Sequence, residues 1–268
     1  MEIADITSKR IKEYLAKGFR FDGRKPMQYR DIKIETGISK KAEGSARVKL
    51  GETEVLAGVK LGLADPFTDS PDSGVLMVTA ELSPMASEKF EKGPPSIKAV
   101  ELARIVDRGI RESGLIDLSK LCITPGEKVW ALFLDIYPLN DAGNLIDAAA
   151  LAALVALKTA VFPELISKEK INYGVFTDKK LPLADNIPFS MTFYKIGEHF
   201  VLDPVTEEEE ASDAHLTFAV SSTKKGENIN AAQKGGSVPL TIEEVSAIID
   251  NATKEYKKIE AAFEKATK

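Results

Sequence analysis

Ten consecutive residues, 148–157, are alanine, leucine or valine without exception, and they stand between Asp147 and Lys158. A helix that is apolar on every side has to be enclosed on every side. The run is only about half of the roughly twenty residues that a membrane span needs. It therefore predicts a buried core helix, over residues 144–161, around which the rest of the chain must be wrapped. With 268 residues, 44% of them apolar, there is enough material for one large domain or two modest ones, each with a real core.

The pattern on either side predicts what does the wrapping. Residues 1–20 interleave Glu2, Asp5, Lys9, Arg10, Lys12, Glu13 and Lys17 with apolar residues, which is a charged amphipathic helix and not a secretory signal. A turn-rich stretch follows at 20–24. Residues 48–56 read as two strands joined at Gly51, with further β-rich runs at 55–63 and 74–82. Pro94-Pro95-Ser96 introduces a helix that continues to about Ser113, with Gly114 as its stop. Residues 129–137 form a long, doubly apolar strand of the kind found in mid-sheet. Beyond Pro163 the order repeats: strands at 187–194, 199–202 and 216–220, then a long helix at 241–266. The segments Lys49-Leu50-Gly51-Glu52-Thr53-Glu54-Val55-Leu56 and Lys195-Ile196-Gly197-Glu198-His199-Phe200-Val201-Leu202 share Lys, Gly, Glu, Val and Leu in register. Hairpin turns favour such residues anyway, but with the repeated element order the echo points to two related α+β halves.

Charge and cysteine usage narrow the function. Lys and Arg total 36 against 41 Asp and Glu, a net charge of −5. A protein that coats nucleic acid by bulk positive charge is excluded, while a local basic groove on an acidic body is not. The single cysteine, Cys122, cannot close an intrachain disulfide, and two histidines make a poor zinc cluster. These features point to the cytoplasm.

Several ordered pieces carry a resemblance. They are Arg20-Phe21-Asp22-Gly23-Arg24, Gly44-Ser45-Ala46-Arg47-Val48 leading into Gly51-Glu52-Thr53, and Glu101-Leu102-Ala103-Arg104-Ile105-Val106-Asp107-Arg108. Asp141-Ala142-Gly143-Asn144-Leu145-Ile146-Asp147-Ala148-Ala149, then Leu202-Asp203-Pro204-Val205-Thr206-Glu207-Glu208-Glu209, and finally Gln233-Lys234-Gly235-Gly236 complete the set. In this order, over nearly the whole chain, the sequence resembles the RNase PH family, and within it the non-catalytic members of the archaeal exosome. The resemblance implies an α+β fold of two pseudo-symmetric βαβ-type halves. It divides the chain into an N-terminal helix and Asp-Gly-Arg turn (1–28), a first RNase PH-like domain (29–163) and a second (164–268). It also implies a ring of three heterodimers with a catalytic RNase PH-like paralogue, capped by RNA-binding subunits, that degrades single-stranded RNA from its 3′ end by phosphorolysis.

Phosphorolysis needs a phosphate held by cations or backbone donors and an acid for the leaving oxygen. Active family members hold the phosphate at a helix N-terminus beside an Arg that follows a Gly. The matching stretch here is Gly143-Asn144-Leu145, with Leu145 where the Arg is expected and Asp141 and Asp147 on either side. Where active members carry a Glu-Asp pair and a further Asp six residues on, this chain has Glu208-Glu209 and His215. Asp213 lies two residues off, a displacement of about 6–7 Å in a strand, against a catalytic tolerance of about 1 Å. The run 207–210 reads as a solvated acidic loop in preference to a metal site, and His215 as a packed or interface histidine in preference to a base. A third departure puts Ile97 and Lys98 where an Arg pair grips RNA. Together these predict a chain with no catalytic residue, no metal ligand and no cofactor of its own. The alternative is a phosphorolytic exoribonuclease active by itself through Asp213 and Glu209. A small-molecule enzyme on a similar fold would need a phosphate-cradling loop, for which Gly235-Gly236 is too short.

What remains is a cationic stripe. At about 100° per residue, Arg104, Arg108 and Arg111 fall within about 60° of one another, roughly opposite Ala99, Leu102, Val106 and Ile110. Periodicity alone is satisfied by a solvated face, with Glu101, Asp107 and Glu112 close enough to pair. The resemblance assigns the stripe to RNA, with Arg104 and Arg108 as the leading contacts and Arg111 as the lesser one. Guanidinium groups suit phosphate because they bind it bidentately and stay charged.

Overall fold

The eleven residues 147–157 are all buried, and the elements around them account for the enclosure. The computed structural model of the chain describes residues 4–223 and 226–267. Helix α1 (Asp5–Ala16) is followed by strands β1 (Ile32–Thr36), β2 (Gly44–Leu50), β3 (Thr53–Ala64) and β4 (Val75–Ala80). Helix α2 (Ile97–Glu112) leads through a short 3-10 turn to β5 (Cys122–Thr124) and β6 (Lys128–Asn140), and then to α3 (Leu145–Thr159), the apolar helix. The second part runs β7 (Val161–Ser167), β8 (Lys170–Lys180), β9 (Phe189–Ile196), β10 (His199–Leu202), α4 (Thr206–Glu210), β11 (Ala214–Thr223), β12 (Gly226–Gly236) and α5 (Ile242–Thr267).

The first sheet has the order β1-β2-β3-β6-β4, with β5 paired to β6, and the second has the order β10-β9-β11-β12; β7 and β8 form a separate hairpin. In the first sheet β4 and β6 run parallel, and α2 lies in the crossover between them. Helix α3 is packed against β2, β3 and β6 on one side and β9 and α5 on the other. Its alanines bring strand backbone close: a Cβ on Gly44 of β2 would collide with the Ala156 carbonyl oxygen. Strand β3 alternates buried and half-buried residues along most of its length, as a sheet with one covered face must. Every residue of β9 is buried, with Phe189, Met191 and Phe193 in the main core and Tyr194 and Ile196 in a second cluster closed by α1.

The two echoing segments are both hairpin turns, although β2 and β3 are interior strands while β10 lies at the edge of its sheet. Gly51-Glu52 turns β2 into β3, and Gly197-Glu198 turns β9 into β10. Gly51 and Gly197 have φ of +58° and +61°, the left-handed conformation that glycine adopts without strain. Where the sequence predicts a helix to residue 161, α3 stops at Thr159. Ala160 is extended, and Val161 already pairs with Lys180 in the β7–β8 hairpin. The N-terminal helix is shorter than residues 1–20, and the first three of those lie outside the described residues. Its buried Ile11 and Leu15 cluster with Tyr194, Ile196, Val201 and Ala211, fastening α1 to the second sheet.

The close approach of β2 to α3 makes a sharp stability contrast. Gly44→Ala should cost about 1–3 kcal/mol, because the atoms in its way are helix backbone. Gly58→Ala, whose Cβ would meet only the Ala42 Cβ at 3.9 Å, should stay within about 0.5 kcal/mol. Urea unfolding midpoints check this, and equal destabilisation at both positions would rule out the crowding.

Candidate nucleic-acid interface

Helix α2 is shaped by its N-cap and its buried face. The Ser96 hydroxyl accepts the Ala99 N–H at 3.3 Å, satisfying one of the orphan donors of the first turn. The buried stripe of Ala99, Leu102, Val106 and Ile110 is widened by Ala103, Ile105 and Gly109. Gly109 matters to this packing: a Cβ there would stand 3.3 Å from the Ala219 Cβ of β11. Wedged between both sheets, α2 presents Arg104 and Arg108 to solvent.

The three stripe arginines are not equivalent. Arg111 is held by Asp107, with Nη2–Oδ1 at 2.7 Å and Nε–Oδ2 at 3.1 Å, and donates to the Leu76 carbonyl at 3.2 Å. Arg108 makes one long contact, Nη1 to Gln233 Oε1 at 3.5 Å. Among the described residues Arg104 has no ion-pair or hydrogen-bond partner. Arg104 and Arg108 line a groove of about 450 Å³ whose other walls include Ile97, Val100, Glu101 and Gln233. Ile97 is 88% exposed. Gln233 is a residue that sequence reasoning missed. Residues 233–236, which carry no strand pattern in the sequence, end strand β12, with Gln233 opposite Thr217 of β11.

The second candidate region is the N-terminus of α3. Asn144 is fully buried and left-handed, with φ +55°. Its N–H donates to Glu209 Oε1 at 2.6 Å, and the Tyr194 hydroxyl donates to the same oxygen at 2.9 Å. A carboxylate of the chain itself thus sits on the donor that a phosphate would use. Burial pushes the Glu209 carboxyl up to about 7; Asp141 pushes the same way and the Asn144 N–H opposes it. Asp147 points inward and accepts from Tyr29 Oη (2.8 Å), Asn144 Nδ2 (3.0 Å), and the Thr192 hydroxyl and N–H (2.7 and 3.2 Å). Burial raises it to about 6, against the pull of those donors.

The run 207–210 departs from the solvated loop that its charge predicts. It is the helix α4, and only Glu207 is exposed. Glu208 is 1% exposed and bound by Arg20 through both carboxylate oxygens, Nε–Oε1 at 2.9 Å. Glu210 pairs with Lys89. Glu208 can be drawn inward because the N-terminal segment brings Arg20 to meet it, which no local pattern announces. Asp213 Oδ2 accepts the Gly197 N–H at 2.7 Å, in the β9–β10 turn, so Asp213 and Glu209 are committed to different neighbours. His215 is packed: its ring is tilted on Tyr194 at 5.3 Å and fills the space beside Gly235. Burial lowers its pKa. Among the described residues there is no group of three or more His, Cys, Asp or Glu placed to hold a metal ion.

Two unequal sheets enclose an apolar helix, with a cationic groove on one face and a carboxylate on the helix N-terminus; comparison with known proteins identifies the class of fold as RNase PH. The chain belongs to that family: residues 28–163 match the 3′ exoribonuclease family, domain 1, and residues 186–255 match its domain 2. It is 48% identical to the exosome complex component Rrp42 of Methanocella arvoryzae, over 92% of this chain and 91% of that one. Against the Rrp42 of Thermococcus kodakarensis the identity is 43%, over 99% and 97%. Its fold is similar to a chain of the Archaeoglobus fulgidus exosome with RNA bound to the active site (TM-score 0.87, 41% identity, 97% and 98% covered). A chain of an archaeal exosome core is also similar (TM-score 0.82, 38% identity, 97% of each).

The Glu209 contact has a pH signature. Folding raises its pKa from 4.5 to about 7, so the stability it contributes is complete below its unfolded value and is lost as pH rises through about 7. Glu209→Gln avoids that loss, while Asp147 titrates alike in both proteins. Urea unfolding should find the variant gaining about 1–3 kcal/mol on the parent between about pH 5 and about pH 8. A difference that stays flat with pH would mean that Glu209 does not titrate there.

Proposed function

We propose that this chain is a non-catalytic ring subunit of an archaeal exosome, acting in the cytoplasm. In this reading it alternates with a catalytic RNase PH-like paralogue as three heterodimers beneath RNA-binding cap subunits. It structures the partner's active site and lends arginines to single-stranded RNA as the partner removes 3′ nucleotides by phosphorolysis. Supporting this are the exosome names of the relatives, the solved exosome chains of similar fold, and one observation above the rest. The Glu209 carboxylate occupies the Asn144 N–H at the start of α3, where a phosphate nucleophile would need that donor. Leu145 supplies no cation beside it, and Asp141 adds repulsion. An attacking dianion would have to displace a tethered carboxylate and then stand next to a second one.

Arg104 and Arg108 are free to take RNA phosphates without first breaking an ion pair, whereas Arg111 would have to leave Asp107. Free, exposed guanidiniums beside an apolar surface suit a single strand, whose phosphates and base faces are both accessible. Among the described residues no helix is long and apolar enough to cross a membrane.

In the complex assembled with the catalytic paralogue, Arg104→Ala with Arg108→Ala should weaken RNA binding and reduce the log–log salt slope by about 0.7 for each phosphate no longer gripped. Arg111→Ala should do less than either arginine alone. Unchanged affinity and slope in the double variant would refute the groove. The isolated chain given RNA, orthophosphate and Mg²⁺ should release no nucleoside diphosphate; release would establish the self-sufficient exoribonuclease instead.

A further inference from the structure

We infer that Gln233 reads the ribose 2′-hydroxyl of RNA held in the groove between α2 and β12, making this surface a discriminator of RNA from DNA; the inference rests on the RNA-binding reading above. The groove's polar lining consists of Arg104, Arg108, Glu101 and Gln233. Guanidiniums only donate and a carboxylate only accepts, whereas a side-chain amide does both without charge. A 2′-hydroxyl likewise donates and accepts, so Gln233 is the groove side chain whose chemistry matches it. Position agrees with chemistry. The Gln233 Oε1 lies 3.5 Å from Arg108 Nη1, and in a polynucleotide the 2′-hydroxyl sits on the carbon next to the one bearing the 3′-phosphate. A group touching the phosphate-binding guanidinium is therefore in reach of that hydroxyl.

The amide is also available. Its two contacts, to Arg108 and from Nε2 to the Lys234 carbonyl, are both 3.5 Å, at the outer limit of hydrogen bonding. Either can be exchanged for a ligand hydroxyl at little cost. Its backbone is fixed opposite Thr217 in the β11–β12 ladder, which holds the side chain over the groove more reliably than a loop would. Ile97 and Val100, exposed on the same groove, offer an apolar surface to the base. That leaves the sugar edge to Gln233.

The test uses the complex with the catalytic paralogue, in phosphate-free buffer, and fluorescein-labelled oligouridylate of about ten nucleotides against its 2′-deoxy counterpart. The parent complex should bind the RNA more tightly. Gln233→Leu in this chain should reduce the RNA-to-DNA affinity ratio by about fivefold, the worth of one neutral hydrogen bond, with the salt slope unchanged. Gln233→Val, suited to a strand and unable to hydrogen-bond, serves if the leucine variant does not assemble, and should give the same loss of ratio. Equal weakening of both strands with a lower slope would make Gln233 a support for Arg108 and overturn the inference, as would an unchanged ratio. Failure of the groove itself looks different: the Arg104, Arg108 double variant would then bind both strands as the parent does.

Discussion

Burying α3 from Asp147 to Leu157 places its polar N-terminus among charged groups drawn from three other parts of the chain. The first N–H groups of a helix have no intrahelical acceptor, and here they open onto the junction of both sheets. Asp203, itself fully buried, is the acceptor that ties the surrounding segments together. It accepts from the Arg30 backbone N–H at 2.7 Å and side chain at 2.6 and 2.9 Å, from Arg24 at 2.9 Å, and from Asn144 Nδ2 at 3.1 Å. Arg30 goes on to the Ala142 and Gly143 carbonyls at 2.8 and 2.9 Å. A buried carboxylate left unpaired is strongly destabilising, so this cluster tolerates little change, and it fastens the segment before β1, the loop before α3 and the loop before α4 to one another. The fold can enclose an apolar helix only because the chain on all sides returns charged groups to that one end.

The same constraint explains how an anion site becomes a structural joint. A helix N-terminus attracts negative charge through its dipole and free N–H groups, and the group that arrives can be a ligand or part of the protein. In this chain it is Glu209, delivered by α4 and seconded by the Tyr194 hydroxyl. A carboxylate held there by its own backbone has given up most of its freedom already, so it outcompetes a phosphate that must be immobilised from solution. Under the reading proposed above, the loss of a phosphate donor and the gain of a structural bond are one event at one atom.

Much of the architecture was legible where the pattern reports local burial. The run 148–157 announced α3, Ser96 and Gly114 bracketed α2 within a residue, and the Gly-Glu turns announced both hairpins. Strand β12 was not legible because Gly226–Gly236 has neither alternation nor apolar residues in quantity; it is a strand because β11 offers a complete ladder. The acidic run 207–210 misled for the converse reason. Its charge pattern is that of a surface, but Arg20, 188 residues away in sequence, neutralises Glu208 inside. In the groove, the arginines were visible from helical spacing, whereas Gln233 comes from a strand without a signature. Which of the arginines is free was hidden too: Glu101 lies three residues before Arg104 and Glu112 four after Arg108, spacings as good as that of Asp107 and Arg111, yet of these only the last pair forms.

That asymmetry bears on how an acidic protein can engage a polyanion at all. With a net charge of −5, the long-range field repels RNA, and at physiological salt it is screened beyond about 8 Å. What a strand meets at contact distance is then decided by local pairing and not by the total. Arg111, neutralised by Asp107, adds little to that near field. Arg104 and Arg108, exposed and uncommitted, dominate it, and because they stand in a groove the low-dielectric walls concentrate their effect. A uniformly basic surface would bind nucleic acid anywhere along its face. Under the reading proposed above, two uncommitted guanidiniums sharing one groove would hold it in one place, and position is what a neighbouring active site would require of the strand.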